Sequence, residues 1–214
     1  MTGNNKKICI VGAGGFGREV LCYIMDIMDK TRAITDMACF MVDDEYYTVA
    51  TLMGVTVIPF SAFDASWYDV VIAIADPAVR KGIVDKLPAD TTYATIIHPA
   101  AYISQQVEIG EGSIVTPGAI VSLNAKIGKH AHLNHHTTLG HDCVVGDFFT
   151  TAPGVNISGN CHFGSGVYLG TNAAVRQKVK ITDNVTIGMG GIVVKDILEE
   201  GVYTGVPVRK LTKR

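Results

Sequence analysis

A small parallel α/β sheet followed by a parallel β-helix is the fold class that this 214-residue sequence predicts. Three observations carry it: an unbroken period of six across the C-terminal half, glycines repeating every 18 residues within it, and a glycine-rich turn between a strand and a helix near the N-terminus. Stepping by six from Ile103 reaches Ile109, Val115, Val121, Ile127, Leu133, Leu139, Val145, Thr151, Ile157, Phe163, Leu169, Val175, Ile181, Ile187 and Val193. Fifteen of these sixteen residues are apolar, and no insertion breaks the count. Two residues earlier stand small or apolar side chains such as Ser113, Ala119, Ala125, Ala131, Thr137, Cys143, Cys161 and Ala173, with Phe149 the one bulky exception. Inward residues two apart mark a short strand, because side chains alternate faces. The rest of each hexad must turn the chain, so three hexads close an 18-residue triangular coil that stacks on the next. Gly110, Gly128, Gly146 and Gly164 then open the same corner in successive coils, where glycine tolerates tight geometry, positive φ included. Cys143 and Cys161 fall at inward positions one coil apart and read as small core residues.

The N-terminal part alternates. KICIV at 7–11 reads as a buried strand running into GAGGFG at 12–17, and Val20, Leu21, Ile24, Met25, Ile27 and Met28 follow at helical spacing. Further strands are expected at 39–42, 55–58 and 69–75, with a helix over 78–87 after Asp76-Pro77. Strand, glycine turn and helix together would set backbone N–H groups and a helix N-terminus against a phosphate. Asp43 and Asp44 at the end of the second strand could take a ribose or a base. A dehydrogenase would need a substrate-binding catalytic domain next, and a β-helix follows instead after about 95 residues, so the nucleotide is expected on the substrate rather than on a redox cofactor.

Composition excludes several classes. Eighteen Lys+Arg against twenty Asp+Glu leave a net charge of −2, without the basic surface a nucleic-acid protein needs. The apolar runs are short, VVIAIA at 70–75 being representative, whereas a membrane span needs about 20 residues. Five cysteines without CxxC or Cys/His zinc spacing point to reduced thiols, no zinc site and a soluble cytoplasmic protein.

GAGGFGRE at 12–19, IIHPAAYIS at 96–104, the hexad register and GVPVR at 205–209 together resemble one family along nearly the whole chain. It is the group of sugar N- and O-acetyltransferases that includes the bacillosamine and perosamine N-acetyltransferases and the sialic-acid O-acetyltransferases. The resemblance implies a Rossmann-like nucleotide-sugar-binding domain over 1–95 and a left-handed β-helix acetyltransferase domain with a C-terminal cap over 96–214. It also implies acetyl-CoA as co-substrate, no metal, and a homotrimer with acetyl-CoA between neighbouring β-helices. The expected reaction is N-acetylation of a nucleotide-linked amino sugar for surface glycans, with O-acetylation of a sugar or sialic acid as the alternative.

Site residues follow from the same resemblance. Of seven histidines, His141 in the corner triplet Gly140-His141-Asp142 matches the family's general base, and Asp142 the group that orients it. His suits the task because its pKa lies near neutrality. Asn134 matches an Asn near the acetyl group or acceptor. Thr171 and Met189 match acetyl-CoA contacts and share a corner column with His135 and Pro153, flanked by Gly170, Gly188, Gly190 and Gly191. Thr150 stands where many relatives carry a second His that contacts acetyl-CoA or the acceptor. Gly14, Gly15, Phe16, Asp43, Asp44 and Ala75 match nucleotide contacts, although Phe16 and Ala75 replace a frequent His and Gly. His98 is expected in the domain connection, His130 and His162 at surface corners, and His132 as an outward strand-end residue. A γ-type carbonic anhydrase shares this helix and uses histidine ligands, but no His stands near Ala100-Ala101 to complete a set with His136 and His141. A non-catalytic scaffold would leave the His-Asp corner without a purpose.

Overall fold

The computed structural model describes residues 6–28 and 31–212. The N-terminal domain runs β1 (Lys7–Val11), α1 (Gly15–Ile27), the single-turn α2 (Ile34–Met37), β2 (Ala38–Val42), β3 (Thr51–Leu52), β4 (Val55–Pro59), β5 (Tyr68–Ile72), α3 (Pro77–Lys86) and β6 (Thr92–Tyr93). Its sheet has the order β3-β4-β2-β1-β5-β6, parallel throughout except for the β3/β4 hairpin. The chain direction of growth thus reverses beside β1, and the crevice outside the carboxyl ends of the strands is where such sheets take ligands. β5 ends three residues before Ala75, because the Ile74 and Ala75 carbonyls are turned to a side chain of α3. That helix opens one residue earlier than the spacing suggests: Asp76 caps it, accepting from the Ala78 and Val79 N–H groups at 2.8 and 3.0 Å, with Pro77 in the first turn.

The β-helix begins at Ile96–Ile97, which pairs with Ile114–Val115. Every hexad position named above lies in a strand, and successive coils pair i with i+18, as in Ile103↔Val121 and Leu133↔Thr151. Three faces result. The first carries strands from Ile96–Ile97 to Val185–Ile187, the second from Tyr102–Ile103 to Ile192–Val193, and the third from Glu108–Ile109 to Lys180–Ile181. Gly201–Gly205 extends the first face and Val208–Lys210 folds back antiparallel on it, covering an open edge. Thr151, the polar exception, is buried with its hydroxyl 2.7 Å from the Thr137 hydroxyl and accepting from the Asn134 N–H at 3.0 Å. Phe149 fits the interior by packing on Phe163, ring centroids 5.1 Å apart.

The 18-residue glycine column has a different cause from the one expected. None of Gly110, Gly128, Gly146 and Gly164 has positive φ; a Cβ on Gly110 would lie 2.6 Å from the Gly128 carbonyl carbon, and one on Gly146 2.7 Å from that of Gly164. Close stacking of coils excludes a side chain there. The left-handed positions stand three residues after each inward residue, and most are not glycine: Gln106, Asn124, His130, His136, Asp142, Phe148, Asn160, Asn172, Lys178 and Asn184. Asn and Asp accept this conformation most readily.

The two domains meet across the first face. Arg80 of α3 is fully buried and uses all five of its N–H donors. Nε donates to the His130 carbonyl (2.9 Å), Nη1 to those of Ile74 (2.6 Å) and Ala75 (3.1 Å), and Nη2 to the Phe148 carbonyl and the Thr150 hydroxyl (both 2.8 Å). Burial pushes its pKa down to about 9. The contact also overturns the expected surface position of His130 and closes over His132, which stands outward at its strand end as expected. Both point out of the β-helix, but the N-terminal domain covers them, leaving 3% and 1% exposure. His130 lies between Tyr93 and Phe148, and His132 against Phe16. His98 does sit in the connection, its Nε2 3.1 Å from Asp26 Oδ2, while His162 is exposed as expected. Among the described residues no helix is long and apolar enough to cross a membrane.

Replacing Arg80 by Leu leaves buried carbonyls of both domains unpaired and should cost about 3 kcal/mol or more. Arg80→Lys should recover little, since an ammonium cannot fill the fork. Calorimetry should show the N-terminal domain melting early in both variants; unchanged melting of Arg80→Leu would contradict the clamp. A second expectation concerns acid. Burial, with Arg80 nearby, lowers the His130 pKa from 6.5 to about 4, so the neutral ring contributes stability that is present above pH 6.5 and lost as pH falls through 4. His130→Asn, which suits the left-handed backbone, should flatten the fall of melting temperature between pH 6.5 and 4 relative to wild type. Identical slopes would refute it.

Candidate active site

Two sites emerge, one on each domain. The first is a cleft of about 510 Å³ at the carboxyl ends of β1 and β2, lined among others by Gly12, Gly14, Asp43, Glu45, Tyr46 and Phe60. The glycines in its loop differ in their reasons. Gly12 has φ +98°, and a Cβ on Gly17 would lie 1.9 Å from the Gly12 carbonyl oxygen, so turn and helix packing demand both. Gly14 and Gly15 have open space where a side chain would stand. Their bareness serves nothing inside the protein. Gly14 also caps α1 without a side-chain acceptor, and the first turn of α1 carries no acidic residue. The leading N–H groups of that helix are free for an anion.

Asp43 lines the cleft, but Asp44 does not: its Oδ1 accepts from the Ser61 hydroxyl. Phe16 and Ala75 are also taken elsewhere. The Phe16 ring packs on His132, and the Ala75 carbonyl accepts from Arg80 and from the Thr150 hydroxyl. Glu45, Tyr46 and Phe60 escaped the sequence reading because the 3₁₀ turns that present them have no periodicity.

The second site is the corner between the second and third faces. His141 Nδ1 lies 2.7 Å from Asp142 Oδ2, with both side chains about half exposed, 57% and 47%. That hydrogen bond, with a second from Asn124, holds the Asp142 carboxyl below the ordinary carboxylate range. With the carboxylate ionised, Nδ1 carries the proton and Nε2 is the free acceptor. The imidazole lies over Gly159 of the next coil, where a Cβ would come within 2.6 Å of Nε2. Gly159 is therefore bare so that the ring can lie flat there.

Asn134 is on the corner between the first and second faces, so the second face separates it from His141. Its Oδ1 accepts from the His135 N–H at 2.8 Å, which leaves its NH₂ to donate. The His135 ring is held by the Tyr23 hydroxyl of α1 at 2.7 Å. Above it, Thr171 is half-buried and Met189 is 78% exposed, making an accessible column. Coil packing accounts for Gly170, Gly188 and Gly191, and positive φ for Gly190. Thr150 is the clearest departure from expectation: only 2% exposed and bound to Arg80, it serves the domain contact and is withheld from any cofactor.

In a triangular coil the corner bearing His141 lies opposite the first face, which the N-terminal domain covers. Among the described residues, no cluster of His, Cys, Asp or Glu could hold a metal ion.

Known proteins share this fold. Residues 7–87 match the PglD N-terminal domain family. The chain is 30% identical over 174 residues to GDP-perosamine N-acetyltransferase of Escherichia coli O157:H7, covering 79% of this chain and 78% of that protein. Its structure superposes on the acetyltransferase domain of PglB from Neisseria gonorrhoeae FA1090 in complex with acetyl coenzyme A, with TM-score 0.85, 27% identity, and 97% and 100% of the two chains covered. PerB from Caulobacter crescentus, in complex with CoA and GDP-perosamine, gives TM-score 0.86 and 25% identity over 98% and 99% of the chains. The chain belongs to the sugar N-acetyltransferase family that joins a PglD-type N-terminal domain to a hexapeptide-repeat β-helix.

Proposed function

We propose that this protein transfers the acetyl group of acetyl-CoA to the amino group of a nucleotide-linked sugar, with His141 as general base. The observation that carries this reading is the His141–Asp142 pair at 2.7 Å, with Nε2 free at an exposed corner. The amine nitrogen attacks the thioester carbonyl carbon as Nε2 takes its proton. The C–S bond breaks, the thiolate leaves and accepts a proton, and the acetyl group remains as an amide. Thiolate leaves easily, so the step needs a base near neutrality more than a covalent intermediate. Asp142 fixes the tautomer and stabilises the imidazolium that forms. The NH₂ of Asn134 is suited to donate to the carbonyl oxygen as charge grows there. Thr171 and Met189 would border the pantetheine arm. The phosphates of the acceptor would rest on Gly14, Gly15 and the N-terminus of α1, with Asp43 on the ribose. Because acetyl-CoA and nucleotide sugars are cytoplasmic metabolites, that compartment suits the reaction.

The site requires more than one chain. The domain that carries the cleft covers the face opposite its own chain's His141, and Asn134 stands a full face away. A homotrimer would set the cleft and the Asn134 corner of one copy against the His141 corner of the next. Exposed apolar side chains on and beside the second face, Tyr102, Ile120 and Leu123, fit a surface that a neighbour covers.

A panel of nucleotide-linked sugars with acetyl-CoA, followed by free-thiol release, tests the reading, and acetylation of hydroxyl acceptors alone would overturn it. His141→Ala should lower kcat roughly 10²–10⁴-fold with little change in acetyl-CoA affinity. Asp142→Asn should do less, and Gly159→Ala should also lower kcat by displacing the imidazole. Full turnover in folded His141→Ala would exclude the base. Mixed oligomers give a separate test. His141→Ala and Gly14→Val, each defective alone, should regain about a quarter of wild-type activity when co-assembled, if each site draws on two chains. No recovery in a verified mixed trimer would place each site within a single chain.

A further inference from the structure

We propose that Asn124 is a positioning residue for the acetyl transfer, acting as the third member of a hydrogen-bonded chain Asn124–Asp142–His141. The inference rests on the reading of His141 as the base. Asn124 lies one coil below Asp142, in the same left-handed corner column. Its Nδ2 donates to Asp142 Oδ1 at 3.1 Å, while Asp142 Oδ2 faces His141 Nδ1 at 2.7 Å.

Asparagine is common where a corner needs a left-handed residue, and Asn160, Asn172 and Asn184 stand at such positions. Backbone conformation alone would therefore explain an Asn at 124. What it does not explain is the direction of the amide, which engages the one oxygen that His141 leaves open. A carboxylate on an exposed corner, tied to the imidazole alone, can rotate about its last bond and lose the Nδ1–H. A donor beneath the second oxygen removes that freedom. Asn124 thus acts on the orientation of the base without touching a substrate, much as an outer partner orients a metal-bound histidine. Among the described residues, Asp142 receives side-chain hydrogen bonds from His141 and Asn124, in that order of effect on its pKa.

The test uses the left-handed backbone. Asn124→Gly keeps φ near 57° without strain and removes only the amide. It should melt like wild type, bind both substrates with unchanged KM, and lose kcat roughly fivefold, the effect of one ordinary hydrogen bond. Asn124→Asp replaces the donor with a second carboxylate. It favours the protonated imidazole and should move the acidic limb of the kcat profile to higher pH by roughly half a unit. In an Asp142→Asn background, Asn124→Gly should cost nothing further. Full turnover and an unshifted profile in the Asn124 variants, with His141→Ala inactive, would overturn the Asn124 role alone. A loss that persists undiminished in the Asp142→Asn background would overturn it too. Full turnover in His141→Ala would instead overturn the base itself, so the two failures are told apart.

Discussion

The guanidinium of Arg80 holds the two halves of this molecule in one geometry. It is a buried cation, hydrogen-bonded among the described residues to four carbonyls and a hydroxyl that come from both domains rather than to a carboxylate. Such a group tolerates no sliding, because any shift of one domain strands several donors at once. Its fork spans the His130 and Phe148 carbonyls, one coil apart, so the repeat of the β-helix itself sets the spacing that the fork reads. Around it, His130 and His132 fill the contact as neutral rings. The cost of burying the cation is the reason that the first face can be closed to solvent and the cleft fixed in place.

The β-helix assigns its chemistry by corner. Inward positions make the core and allow only small or apolar side chains, and stacked glycines keep the third corner tight. The left-handed position, three residues on, is one of the places in each hexad where a polar side chain costs the interior nothing. Asp142 and Asn124 occupy such places, and His141 precedes one. The proposed base is thus an ordinary corner residue set up by its neighbours: Gly159 in the next coil gives the ring room, and the adjacent Asp142 gives it a direction.

The register of the repeat, every inward residue and the glycine loop could be read from the chain before any coordinates, because each is a local pattern enforced many times over. The His141–Asp142 pair was equally visible, being adjacent in sequence. What could not be read was any relation between an outward residue and another domain. Thr150, His130 and His132 look like surface positions in their hexads, and partners far upstream make them interior: Arg80 for Thr150, Tyr93 for His130 and Phe16 for His132. Phe16 meets His132 across the same contact, and Asp44 accepts from Ser61 within its own domain, a partner without periodic signature. Asn124 lies 18 residues before Asp142, so the same repeat that stacks the glycines also sets these two residues one coil apart.

The unbroken 18-residue count has an evolutionary side. No corner throws out a loop between Ile103 and Val193, so the β-helix has no extra segment with which to grip a particular sugar. If the proposed cleft takes the acceptor, discrimination among acceptors resides in the sheet domain and its irregular turns, where insertions disturb no stack. Such a molecule is modular: a lineage could exchange or reshape the cleft around Asp43, Tyr46 and Phe60, keep the arginine that docks it, and acquire a new acceptor. The solenoid, with its corner machinery, would pass unchanged from one glycan to the next.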